Sequence, residues 1–199
     1  MNTNLQRAIV LSLLVLLMGA TRTHYLSHFA PVPDASWAVF FIGGFYLRAW
    51  ARWAFPLLMA LAVAIDWMVI SSQGIGFWEH YCMSAAYWFL IPAHLAMWLG
   101  GTWLRRGYHG ASLGALGRLA LGVVAATVVC HLLAQGSFYW ISRNVADPTF
   151  AGWWRNYTEW LLPYLQGTAT FVGAAAVAQV VSERIAAASH ATARDTTRR

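Results

Sequence analysis

Residues 77 to 88 read FWEHYCMSAAYW and gather unusual chemistry into one short stretch. It holds a thiol (Cys82), an imidazole (His80), a carboxylate (Glu79) and the rings of Phe77, Trp78, Tyr81, Tyr87 and Trp88. A polar segment gives way here to a long apolar run, so Cys82 is expected beside a helix start, where the helix dipole favours a thiolate. A thiolate is a ligand for soft or borderline transition metals. The plain alternative is a small buried hydrophobe, a common role for cysteine. Cys130, deep within GVVAATVVCHLLA, fits that alternative better, and two cysteines cannot form a disulfide framework.

Other groups able to do chemistry are scattered among apolar runs. Asp66, in AVAIDWMVIS, is an ionisable group roughly five residues, about 8 Å of helix rise, below the end of its run. A carboxylate inside a membrane segment is costly and is a functional candidate by default; a structural partner for a neighbouring helix is the simpler role. His24 and His28 in THYLSH share a face if that segment is helical, as a metal-binding pair would. His94 and His131 lie within apolar runs and raise a haem alternative, but their expected depths differ by roughly 9 Å, a poor match for two axial ligands. The segment SFYWISRNVADPTFAGWWRNYTEW adds Arg143, Arg155 and Glu159, with Arg155 and Glu159 spaced for a helical ion pair. No phosphate-binding G-x-x-x-x-G-K-[ST], no H-E-x-x-H and no G-x-S-x-G is present.

The elements that must position these groups follow from composition. Of 199 residues, 59% are hydrophobic and only 10% charged, far below the quarter usual in soluble domains. An all-α integral membrane protein is expected. The net charge of +6 is carried by arginines, with no lysine, placed singly or in pairs between apolar runs as topology determinants, so nucleic-acid binding is not expected. Apolar runs at 5–21, 36–50, 53–71, 83–103, 113–137 and 159–182 predict six transmembrane helices. The first resembles a signal peptide but reads better as an uncleaved helix. With the N-terminus cytoplasmic, ten arginines fall inside and three (Arg22, Arg143, Arg155) outside, which puts both termini in the cytoplasm. Residues 1–187 form one six-helix domain and 188–199 a polar, disordered tail on this reading. The segments 22–35, 72–82 and 138–158 then face outward with most of the reactive side chains.

Six spans in about 200 residues, both ends inside and aromatic outer loops, resemble the S-components of energy-coupling-factor (ECF) vitamin transporters. The cysteine of FWEHYCMSAAYW, opening the fourth run after an acidic aromatic loop, resembles more narrowly the BtuM-type small cobalamin transporters. The resemblance implies uptake of cobalamin (vitamin B12) and related corrinoids across a bacterial cytoplasmic (inner) membrane, from a site facing the periplasm. Cobalamin arrives as substrate, and Cys82 is the residue that matches the family's ligand to cobalt. Asp66, Tyr87 and Arg155 fit the polar pocket, with His28 and Trp88 as further contacts. A thiolate bound to cobalt weakens the ligand on the opposite face, which implies decyanation of cyanocobalamin. S-components that share an energising module carry A-x-x-x-A on their first helix; LQRAIVLSLLVLLMGA lacks it, which leaves recruitment of such a module open. A membrane haem or redox protein and a ligand-free assembly subunit are the competing expectations.

Overall fold

The computed structural model describes residues 3–23, 32–142 and 144–196, with backbone alone for 190–196. Every regular element among these residues is helical: α1 (Thr3–Arg22), α2 (Ser36–Tyr46), α3 (Ala51–Ser72), α4 (Leu90–Arg106), α5 (Leu113–Ile141) and α6 (Phe150–Thr196). Short 3-10 turns fill Arg48–Trp50, Phe77–Glu79 and Ala85–Phe89. Among the described residues, four helical stretches are long and apolar enough to cross a membrane: Thr3–Arg22, Arg48–Ser72, Leu113–Ile141 and Phe150–Ser189. Large apolar side chains such as Leu13, Leu16, Trp53, Trp67, Leu121 and Val177 stand exposed along them. Water would penalise so much exposed hydrocarbon, whereas acyl chains would not. This is the build of a multi-pass helical membrane protein.

The centre of the bundle is α2. Nine of its eleven residues are buried, because SWAVFFIGGFY is apolar on every side and neighbours surround it. It packs on α4 through glycines: a Cβ on Gly44 would overlap the Trp98 carbonyl, and one on Gly101 the Phe41 carbonyl. Phe40, Phe41, Leu58, Met97 and Cys130 complete a fully buried core. At 11 residues α2 rises only about 16 Å, so it is shorter than the span expected over 36–50.

Helix boundaries depart from the apolar runs for local reasons. The run starting at residue 83 turns α-helical only at Leu90, because Pro92 lacks an N–H and its ring crowds the Trp88 carbonyl. The residues before it wind as a 3-10 turn capped by Ser84, whose Oγ accepts from the Ala86 N–H at 3.3 Å. Ser112 caps α5 by accepting from the Ala115 N–H at 3.1 Å, and Thr149 does the same for α6 with Gly152 at 3.1 Å. α6 begins at Phe150, nine residues before the expected start, and runs to Thr196. The tail expected to be disordered from 188 is therefore helical as far as 196.

Candidate functional site

One end of the bundle collects the C-termini of α1, α3 and α5 and the N-termini of α2, α4 and α6. A polar knot ties it together. Arg22, in the last turn of α1, forks onto Asp66 of α3: Nε to Oδ1 and Nη2 to Oδ2, both at 2.7 Å. Such a bidentate pair is stronger and more directional than a single contact. Arg22 Nη1 also reaches Asp34 at 3.3 Å and Ser36 Oγ at 3.0 Å. Asp34 Oδ1 accepts from the Ser36 N–H and hydroxyl, and the Tyr87 hydroxyl donates to Asp66 Oδ2 at 2.7 Å. The side chains of Arg22 and Asp66 are only 14% and 18% exposed, so each charge is neutralised where water is scarce.

Cys82 lies beside this knot but not at an α-helix N-terminus. It sits in a turn closed by the Met83 N–H on the His80 carbonyl, eight residues before α4 opens. The Cys82 N–H donates to His80 Nδ1 at 3.3 Å, which makes Nδ1 an acceptor. The thiol is half-buried. Burial pushes its pKa up, a hydrogen bond with Tyr81 pulls it down, and the Asp66 carboxylate adds to the rise. The expected thiolate is thus corrected to a thiol near neutral pH, because no helix dipole opposes the desolvation. Tyr81 holds the loop in place: its carbonyl accepts from Asn144 Nδ2 at 3.0 Å and its ring meets Phe138 edge-on.

Under the knot lies a cavity of about 190 Å³ lined by Arg22, Met59, Val63, Tyr87, Trp88 and His94, among others. Asp66, Tyr87 and Trp88 are therefore brought together around Arg22, and Trp88 remains 60% exposed on its other side. Arg155 and Glu159 are exposed on the first turns of α6, and neither belongs to the knot or the cavity lining. His24, His28 and Arg143 lie outside the described residues. Among the described residues, no three His, Cys, Asp or Glu side chains converge to hold a metal ion.

Arg22 was legible only indirectly. It is one of three arginines placed against the positive-inside trend, and that anomaly was the signal of a local anionic partner. His94 and His131 do not face a common ligand. His131 Nε2 bonds the Tyr157 carbonyl at 3.0 Å among Trp37, Tyr157 and Tyr164, whereas His94 packs on Phe40 with ring centroids 4.4 Å apart. A haem held between them has no geometric support. A scan of protein-family models and a search of curated proteins find nothing that matches this chain.

Proposed function

We propose that the protein takes up cobalamin and related corrinoids across a bacterial cytoplasmic membrane, with six membrane-embedded helices, both termini inside and Cys82 facing the periplasm. The observation that carries this reading is the half-buried Cys82 thiol in an aromatic loop, beside the Asp66–Tyr87–Arg22 knot. A lone thiol is too few ligands for a protein-held metal, which needs three or four. It suffices where the metal arrives already held by its own macrocycle. The rings of Tyr81 and Trp88 offer apolar faces for a flat corrin, and the knot offers donors and acceptors for its amide rim. The 190 Å³ cavity cannot hold a corrin, so binding requires the loop over 73–89 to part from the end of α1.

The chemistry balances without an added redox partner. The Cys82 sulfur donates an electron pair to Co(III) and releases its proton, and the nucleotide base leaves that face. Where cyanide occupies the opposite face it departs with the cobalt–carbon electron pair and takes up a proton, so cobalt stays Co(III) and hydrogen cyanide is released. Titration of cyanocobalamin into purified protein tests this. Wild type should show a shifted corrin spectrum and released cyanide, and Cys82→Ser should show neither. An unchanged wild-type spectrum removes decyanation, and absence of any corrinoid binding removes the uptake reading.

A further inference from the structure

Helices α5 and α6 are laced together toward the Cys82 end, where His131 Nε2 bonds the Tyr157 carbonyl at 3.0 Å and the Tyr157 hydroxyl donates to the Val128 carbonyl at 3.1 Å. Toward the opposite end a cavity of about 330 Å³ separates them. α5 lines it with Leu116 and Leu119, α6 with Val177 and Val181, and α2 with Phe41 and Phe45. Phe41 and Phe45 are buried, whereas Leu116, Val177 and Val181 are 60%, 65% and 50% exposed, so the cavity runs from the core to the surface of the bundle. Those three exposed side chains belong to helical stretches apolar enough to cross a membrane, which turns the mouth toward acyl chains and not toward water. The few polar groups of the lining are already engaged. The Tyr46 hydroxyl donates to Gln179 Oε1 at 2.7 Å, Gln179 Nε2 and the Tyr108 hydroxyl each donate to Glu183 Oε1 at 2.8 Å, and Ser112 Oγ caps α5. A trapped water needs about three polar partners, whereas a void lined by hydrocarbon takes an apolar guest.

Charge at this end of the bundle selects among apolar guests. Arg184 follows Val181, Val180 and Val177 at helical spacings of three, four and seven, on the cavity's own face of α6 and one turn beyond its lining. The Arg105 guanidinium lies 5.2 Å from the ring centroid of Phe45, which lines the cavity. Arg106 and Arg118 are exposed at the same end. None of these four arginines forms an ion pair among the described residues, where both ion pairs belong to Arg22. Glu183 is the carboxylate beside them, and its Oε1 is held by Tyr108 and Gln179. We infer that the cavity takes one acyl chain of an anionic glycerophospholipid, with the phosphate at Arg184 and Arg105. At roughly 30 Å³ for a group the size of a water, it admits on the order of ten chain carbons. The chain leaves one hydrocarbon setting for another, so it gains packing against the cavity wall and no hydrophobic transfer energy, and selectivity comes from the headgroup. The inference is independent of the corrinoid reading, because it requires a bilayer around the helices and nothing of Cys82.

The test offers the full-length protein, in detergent and stripped of copurified lipid, equal amounts of palmitoyl-oleoyl phosphatidylglycerol and the phosphatidylcholine with the same chains. Native mass spectrometry then counts the lipid retained. Wild type should retain one phosphatidylglycerol at least about tenfold over phosphatidylcholine, the preference that one or two arginines beside an anionic headgroup supply. Joining Arg105→Gln to Arg184→Gln should bring that ratio close to one. Ala176→Phe, which fills the cavity from its α6 wall, should lose retention of both lipids. Equal retention of the two lipids by wild type overturns the inference, and so does retention of neither. Retention undiminished in a folded Ala176→Phe overturns it as well, because the lipid then sits on the outer surface of the bundle. The wild-type comparison can refute the inference even if the variants do not fold.

Discussion

At the scale of single residues, the balance at Cys82 has a measurable consequence. Burial and Asp66 hold the thiol above its ordinary pKa, so coordination must expel a proton. Below the thiol pKa, apparent affinity for an aquo-corrinoid should fall by about tenfold for each unit of decreasing pH. A binding series from pH 8 to pH 6 checks this, and a flat profile would contradict thiol coordination. The sign is that of an acid whose charged form is the ligand: the raised pKa moves capture toward higher pH. Asp66 carries a different burden. Asp66→Asn leaves the Arg22 cation short of its bidentate partner in a site nearly closed to water, and should cost on the order of 3 kcal/mol of stability. Pairing Arg22→Met with Asp66→Leu should cost less than either single change, as read by thermal unfolding in detergent. The sequence marked Asp66 because a carboxylate in an apolar run needs a partner. It could not name Arg22, which is 44 positions away.

At the scale of elements, helix existence was legible in the chain and helix ends were not. Apolar runs mark what can be buried or face lipid, but ends are set by caps and prolines. Pro92 delays α4 to Leu90, and the seven residues that the apolar run lends to a span instead shape the loop holding Cys82 and Tyr87. The contact between α2 and α4 depends on the absence of side chains. Gly101→Ala would drive a methyl group into the Phe41 carbonyl, and a helix pair cannot relax backbone against backbone cheaply. A loss of about 3 kcal/mol is expected, the upper part of the overpacking range. Gly173→Ala is the control: a Cβ there meets nothing within 4 Å, and the better helix former should stabilise α6 by up to about 1 kcal/mol. Denaturant or thermal unfolding of the two variants should move in opposite directions.

At the scale of the whole molecule, one end carries the thiol, the knot and the cavity, and the proposed topology turns that end outward. An impermeant maleimide applied to intact cells should label Cys82 and spare Cys130, which is 0% exposed in the core, and a bound corrinoid should block the labelling. Labelling of Cys82 only after the membrane is opened would invert the topology. What the sequence determined by itself is the solvent and the material: 59% hydrophobic residues in long uninterrupted runs demand helices that keep their backbone hydrogen bonds internal. It also marked Cys82 and Asp66, because their chemistry is out of place in apolar surroundings. Only the tertiary structure decided who meets whom. The Arg22–Asp66–Tyr87 knot joins three elements, and the His94 cavity exists because α1, α3 and α4 leave a gap there. Burial also reversed the protonation expected of Cys82. Periodicity reports which face of an element avoids water; partners across the bundle, and the fields they impose, depend on packing between segments that no local pattern encodes.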